Sequence, residues 1–328
     1  MAEGLSRLIN LIPGMSGFLL GRMRRYAITH TLDREKLRRL AFWIRLIIRS
    51  RGREIISTPS GLRFNAFDQS QYVNQILLLK GTSLKYCWEP NCSRLLNSLI
   101  HEDDRVVVAG ANIGFEALLI GDRVRRGTGI CYAFEPISGT FKTLLENIDL
   151  NQLKGKVTPF NFALGESDGE TPMLAAGPNS SLLFLDSDKT QEKVTVRSLD
   201  SLYREGLIAS VSAMIADVEG FELEMVLGGR NLLKNSPVRF FLFEVNGKTE
   251  EISPGKTKRL FIQLAEWGFD FYAITDDYRG YQKPGYPPLK LIKIKELQFP
   301  FVLQDRWFNV LALKSELKTE LKHFPVAD

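Results

Sequence analysis

The sequence has few of the residues that build disulfide scaffolds or metal centres. Three cysteines, Cys87, Cys92 and Cys131, are too few and too irregularly spaced for a crosslinked framework, and they point to a reducing compartment. The three histidines, His30, His101 and His323, stand far apart, and no cysteine or histidine pair has structural-zinc spacing, so no metal site is assigned. A membrane-spanning apolar run is also missing. The longest early one, "LINLIPGMSGFLLG", is broken by Pro13, Gly14, Gly17 and Gly21 and lacks the basic flank of a secretory leader. The expectation is a soluble, cytoplasmic protein, with peripheral membrane association as the alternative. No internal repeat or low-complexity tract occurs, which sets aside solenoids and disordered chains.

What remains is 328 residues with 44% apolar content, enough to bury the core of one large domain or two small ones. The net charge of +5 is uneven. Residues 1–60 hold 12 Lys/Arg against 4 Asp/Glu, a net of +8, while residues 61–328 carry a net of −3. Within that basic segment, 33–49 place Leu37, Leu40, Ala41, Ile44, Ile47 and Ile48 at helical spacing beside Arg34, Arg38, Arg45 and Arg49. Such a helix either packs on the main body with a solvated basic flank or meets an acidic carrier protein or a membrane surface. "STPSG" at 57–61 marks a turn. The division expected is a basic helical arm over 1–60 and a main domain over 61–328.

Past "LRFNAF", a short strand, and "PNCSRLLNSLI" (90–100), a helix, strands and helices alternate. Strands are expected at 105–109, 130–134, 157–162, 212–216 and 238–243, and helices at about 114–121, 138–150, 221–234 and 255–267. This pattern builds an α/β fold, a mostly parallel sheet with helices on both faces. "FDFYAI" (269–274) and "FNVLALK" (308–314) supply two further strands, and the polar 168–197 stretch reads as an inserted hairpin.

The first strand of the repeat runs into "AGANIG". In a doubly wound sheet the ligand sits at the carboxyl ends of the strands, and Gly110 and Gly114 have no Cβ to keep it from the main chain. Amides at the start of the next helix are expected to face that ligand. By itself a glycine pair here can equally mean only close helix packing. Spacing narrows the choice: a dinucleotide fingerprint needs G-x-G-x-x-G, which is absent, so a diphosphate cradle and a dehydrogenase are disfavoured. Glu135, at the end of the adjacent strand and 21 residues past Gly114, can accept hydrogen bonds from vicinal ribose hydroxyls. The combination suits an adenosine ligand without phosphates.

"VVVAGANIGF", "YAFEP", "NFALGESDG", "VTVRSLDSL", "IADVEGFELEMVLGG" and "FFLFEV" follow one another as they do in the FkbM-like family of S-adenosylmethionine-dependent methyltransferases, which the chain resembles over about residues 60–314. The resemblance implies a class I methyltransferase fold, Rossmann-like, with a seven-stranded sheet whose last strand is antiparallel. It also implies methyl transfer to a hydroxyl of a saccharide or small-molecule natural product. By the same resemblance Gly110, Ala111, Asn112, Ile113 and Gly114 surround the methionine part of S-adenosylmethionine. Glu135 holds the ribose, Pro136 fixes the loop behind it, and Phe162 and Ala163 lie at the adenine.

Methyl transfer from a sulfonium needs mainly in-line placement of the acceptor oxygen, and a hydroxyl acceptor also needs a carboxylate to take its proton. Asp217, Glu219 and Glu244, the acids at strand ends, are the candidates in that order. Glu219 has a second reading as the cap of the helix that follows, and Glu244 as a surface ion-pair partner. Two positions depart from the family pattern: Val108 stands where it has an acid, and Ile215 where it has lysine. Glu116, in the first turn of the next helix, is a candidate replacement for the missing acid, although a carboxylate there is favoured by the helix dipole alone. These departures keep open a second class of function, a catalytically silent methyltransferase-like binding or scaffold protein. Nucleic-acid methylation is disfavoured because the main domain is slightly acidic. Acceptor recognition is expected from the variable stretches 168–197 and 275–305, with Tyr278, Tyr281 and Tyr286 as aromatic candidates.

Overall fold

The computed structural model describes residues 89–174, 191–274, 289–294 and 307–327, together with 55–58, 60–65 and seven scattered positions before residue 55. The chain divides into two compact units, Met1–Pro90 with Tyr278–Pro287, and Asn91–Asp277 with Pro288–Asp328. In the first, β1 (Ile55–Ser57) and β2 (Arg63–Asn65) pair antiparallel around the "STPSG" turn. Of the helix expected over 33–49, Arg39 and Leu40 are described and are helical; the rest lies outside the described residues. Among the described residues no helix is long and apolar enough to cross a membrane.

The second unit runs α1 (Pro90–Leu99), β3 (Arg105–Ala109), α2 (Phe115–Val124), β4 (Ile130–Phe134), α3 (Ser138–Leu150) and β5 (Val157–Phe160). Three strands follow that leave the main sheet, β6 (Ala163–Leu164), β7 (Gly169–Leu174) and β8 (Gln191–Arg197). Next come α4 (Leu199–Arg204), β9 (Ala213–Ala216), α5 (Glu222–Gly228), α6 (Arg230–Lys234), β10 (Phe240–Asn246), α7 (Gly247–Ile252) and α8 (Lys256–Glu266). The chain closes with β11 (Phe269–Ile274), β12 (Leu291–Ile294), β13 (Trp307–Lys314), a 3-10 helix over Ser315–Leu321, and β14 (Val326–Ala327).

The main sheet has the order β14-β12-β11-β13-β10-β9-β3-β4-β5. From β5 to β10 all neighbours are parallel, and β13 is antiparallel to both β10 and β11. Those seven strands are the sheet expected of a class I methyltransferase, with "FNVLALK" as its antiparallel member. The expectation of seven strands is nevertheless corrected to nine, because β12 and β14 extend the sheet beyond β11. Both are short edge strands; "LIKI" sits in a stretch that reads as loop, and two residues carry no periodicity. The 168–197 insertion forms the expected hairpin, β7 and β8 pairing antiparallel with β6 added beside β8.

One face of the sheet, with Val107, Met214, Ala216, Phe241 and Phe243, packs on Leu199 and Leu202 of α4, Leu223 and Val226 of α5, Leu232 of α6, and Leu260, Phe261 and Leu264 of α8. Each such side chain contributes about 1.5–3 kcal/mol when fully buried, so this face carries much of the fold's stability. At the amino ends of the strands, Arg239 ties three elements together. It pairs with Asp104, donates to the Leu99 carbonyl at 2.8 Å and meets Glu320 at 3.1 Å. Arg239→Met leaves Asp104 buried without its cation, and urea titration is expected to show a loss of about 3–5 kcal/mol. At the opposite end, the chain leaves β3 for β4 on one side and later returns to β9 on the other. That reversal opens a crevice at the carboxyl ends of β3 and β9.

Candidate functional site

The bend after β3 is built from left-handed backbone. Gly110 has φ +77°, Asn112 +51° and Gly114 +100°, and asparagine is among the few residues with a side chain that adopt this region readily. A Cβ on Gly110 would stand 1.9 Å from the Asp217 carbonyl oxygen, and one on Gly114 would be 2.7 Å from Cδ1 of Leu144. Close packing therefore accounts for both glycines, and it is what brings Asp217 onto the bend: the Asp217 amide donates to the Ala109 carbonyl at 3.1 Å. The bend's own amides are spoken for. Gly110 and Ala111 donate to the Phe134 carbonyl at 3.0 and 2.8 Å, and Gly114 to Ala111 at 2.8 Å. Asn112 donates to Oε2 of Glu135 at 3.0 Å and Ile113 to Oδ1 of Asn112 at 2.7 Å. The bend presents glycine surface rather than a ring of donors, so polar recognition here falls to side chains.

Glu135, which leaves the end of β4, faces this bend. Its Oε2 takes the Asn112 amide and its Oε1 takes the Ile137 amide at 2.9 Å, which leaves further acceptor positions on both oxygens. Only 6% of the residue is exposed. Burial raises its pKa to about 7 against the pull of the Ile137 and Asn112 amides, with Glu192 and Asp217 adding repulsion. Asn161 anchors the loop behind it, donating to the Glu135 and Pro136 carbonyls at 2.9 and 3.0 Å. Phe162 lies against Phe134 and Phe160 at ring-centre separations of 5.5 and 5.3 Å, with the Arg197 guanidinium 5.9 Å from its own ring centre. Ala163 is buried in β6, opposite Val196.

Across the crevice, Asp217 and Glu219 follow β9 and Glu244 lies within β10 rather than at its end, and one carboxylate oxygen from each lies within 4.8 Å of the other two. Three residues ranked separately from sequence thus form one cluster, close enough for a single cation to touch all three. Sequence spacing could not group them because they come from two strands. Asp217 is exposed to the crevice, and the protein packed around it there desolvates its carboxyl and raises its pKa to about 6. Glu219 sits at φ +51° and Gly220 at +100°, a turn held from behind by Glu222, whose Oε1 accepts the Gly220 and Val218 amides at 3.2 and 3.4 Å. Glu222 was missed in the sequence because "FELE" offers several acids and only the turn geometry singles one out. Asn147, which donates to the Ile113 carbonyl at 2.8 Å, was missed because its partner lies 34 residues away in sequence.

Val108 and Ile215, the two departures from the family pattern, are direct partners in the β3–β9 register, 2% and 5% exposed. An apolar pair replaces a charged one, and no orphan charge is left behind. The stretch 275–288, with Tyr278, Tyr281 and Tyr286, lies outside the described residues, as do 175–190 and 295–306.

Burial raises the pKa of Glu116, Glu135 and Glu222 to about 7 and that of Asp217 to about 6. A carboxyl raised in the folded state stabilises it fully below the unfolded pKa of about 4 and loses that contribution as pH climbs through the folded value. Asp103 moves the other way, through the Thr128 bonds, as do Asp168 and Asp270, where burial is outweighed by Ser198 and Arg197 and by Lys318. These three titrate below the window. The unligated protein is therefore expected to lose stability steadily between about pH 4.5 and 7, as read from urea midpoints; a flat profile would contradict the burial of these acids.

A family model described as the methyltransferase FkbM domain matches residues 109–282. Hexuronic acid methyltransferase AglP from Haloferax volcanii is 29% identical over 220 residues, 65% of this chain and 82% of that protein. Among solved structures, methyltransferase FkbM from Methylobacillus flagellatus is similar with a TM-score of 0.41 and 14% identity, over 65% of this chain and 44% of that one. Aeropyrum pernix fibrillarin, in complex with S-adenosyl-L-methionine, is similar with a TM-score of 0.36 and 17% identity, over 68% of this chain and 73% of that one.

Proposed function

The chain belongs to the FkbM methyltransferase family, and from that premise we propose that it transfers the methyl group of S-adenosylmethionine to a hydroxyl of a saccharide, one that contains a hexuronic acid. The observation that carries this is the pairing of Glu135 with the left-handed bend: a buried carboxylate with spare acceptor positions beside a glycine surface free of side chains. Those features fit an adenosyl ligand with an amino-acid tail. In this reading 61–328 form the methyltransferase domain, and the basic arm before it serves recruitment of an acidic carrier or membrane-borne glycan.

Bound S-adenosylmethionine supplies an electrophilic methyl carbon on a positively charged sulfur. The chain's own residues then have three tasks. Glu135 accepts from the vicinal ribose hydroxyls with the lone pairs that Asn112 and Ile137 leave open, and those bonds draw its pKa back down. Pro136 and Asn161 keep the Glu135 loop in place, while Phe162 and Ala163 wall the adenine end. Asp217, with a pKa of about 6, is ionised at neutral pH and takes the proton from the acceptor hydroxyl; Glu219 and Glu244 orient that acceptor.

A hexuronic acid also offers a carboxylate oxygen, which would need no base. A hydroxyl is preferred because Asp217, beside Glu219 and Glu244, offers the proton acceptor that a hydroxyl needs and a carboxylate does not. The test is transfer of labelled methyl from S-adenosylmethionine to a hexuronate-containing oligosaccharide, followed by mild alkali. A stable methyl ether is expected; an alkali-labile ester, or no transfer, would contradict the proposal.

A further inference from the structure

The β7–β8 hairpin belongs to a stretch that sequence alone marks for acceptor recognition, yet one of its faces lies against the loop that carries Glu135. Met173 and Glu192 are direct partners in the β7–β8 register, and Val194 follows two residues on, so the three side chains share a face. Met173 and Val194 close on Ile137 in a small buried cluster of their own. Glu192 reaches the next residue of the loop: its Oε1 accepts the Ser138 amide at 3.1 Å and also the Ser138 hydroxyl.

Ser138 opens α3, and Ile137 before it has no side-chain group with which to cap the helix. Glu192 supplies that cap from another element. One residue back, the Ile137 amide donates to Oε1 of Glu135 at 2.9 Å, a buried bond that sets the direction of the carboxylate. The segment from Glu135 to Ser138 is thus gripped at both ends, by Asn161 on the Glu135 and Pro136 carbonyls and by the hairpin on Ile137 and Ser138. Apolar contact holds Ile137 in place without fixing its orientation, because it is non-directional. The bonds to Ser138 are directional, and they fix the backbone beside the Ile137 amide.

We infer that Glu192 is a positioning residue for the donor: through Ser138 it holds the Ile137 amide, and with it the Glu135 carboxylate, in the geometry that receives the ribose hydroxyls. This rests on the proposed function and adds the β7–β8 hairpin to the parts of the chain that govern donor binding.

The test is calorimetry at pH 7.5 with wild type, Glu192→Ala and Glu192→Gln, against S-adenosylhomocysteine and its 2′-deoxy analogue. The analogue lacks one of the two hydroxyls offered to Glu135, so the ratio of the two affinities reads the ribose contact. Both variants lose the charge that repels Glu135, and only alanine loses the acceptor of the Ser138 bonds; the difference between them isolates those bonds. Loss of a hydrogen bond of ordinary strength corresponds to a roughly two- to tenfold change in affinity. Relative to Glu192→Gln, Glu192→Ala is expected to bind S-adenosylhomocysteine about three- to tenfold more weakly and the analogue within about twofold. Glu192→Gln should keep the wild-type preference for the full ribose. A cap that serves stability alone would lower the melting temperature of Glu192→Ala and leave that preference intact, and this result would overturn the inference, as would equal weakening of both ligands. If Glu192→Ala did not fold, Ser138→Ala, which removes only the hydroxyl bond, should shift the ratio the same way by a smaller factor; an unmoved ratio would again overturn the inference. Wild type that binds neither ligand, or both equally, would instead overturn the ribose role of Glu135 in the proposed function, and the inference with it.

Discussion

Asp217→Asn is expected to lower kcat at saturating donor by about 10²–10⁴-fold, the range attributable to one general base. Asparagine keeps the shape of the side chain but cannot accept a proton. The size of the loss also depends on acceptor chemistry, because a hydroxyl must shed its proton as the new bond forms whereas a carboxylate has none to shed. Wild-type kcat should fall at acid pH as Asp217 is protonated, with a midpoint below the unligated protein's value of about 6 because the cationic donor favours the carboxylate; the variant should lose that limb. Glu219→Gln and Glu244→Gln should cost less in kcat and more in acceptor KM, since both are placed beside the acceptor rather than at its proton. A variant at Asp217 with unchanged kcat and an unchanged pH limb would remove it from the chemistry.

The second large effect is at Gly110. Alanine there would put a methyl group 1.9 Å from the Asp217 carbonyl and would hold an L-residue at φ +77°. The left-handed backbone costs about 1–2 kcal/mol and the overpacking about 1–3 kcal/mol, so thermal melting should drop by several degrees. The functional loss should exceed what stability explains. The same methyl pushes Asp217 away from the bend, and a displacement of about 1 Å can cost on the order of 10²-fold in rate. Gly139→Ala, in α3 with no atom within 4 Å of its Cβ and ordinary φ, is the control and should leave binding and rate unchanged.

The sheet was legible because buried parallel strands write themselves as apolar runs: "RVVVA", "ICYAF" and "AMIA" have no competing pattern. The longer helices between them read equally well from their periodicity, although 221–234 proved to be two, broken at Gly229, and the six-residue α4 and α7 were too short to show a period. Edge strands were not legible, as β12 and β14 show. In the site, single residues at strand ends could be nominated from spacing, since the carboxyl ends of the strands share one edge. Their grouping could not be. The approach of Asp217 to Glu219 and Glu244 depends on the β9–β10 register and on the left-handed turn that Glu222 holds.

The amides of the bend are the clearest difference between sequence and structure. Glycines at a strand end suggest open N–H groups, and here Phe134, Ala111, the Asn112 side chain and Glu135 accept every one of them. Val108 and Ile215 could not be understood singly from sequence: they face each other in the β3–β9 register, so a charged neighbour pair is exchanged as a unit for an apolar one.

The most direct measurement is a calorimetric titration of the full chain with S-adenosylmethionine, repeated with Glu135→Gln. One molecule of donor per chain should bind, and the substitution, which removes the charged acceptor of the ribose hydroxyls, should weaken it by roughly ten- to hundredfold. Absence of binding to wild type, or equal affinity in the variant, would contradict the placement of the donor between the Gly110 bend and Glu135.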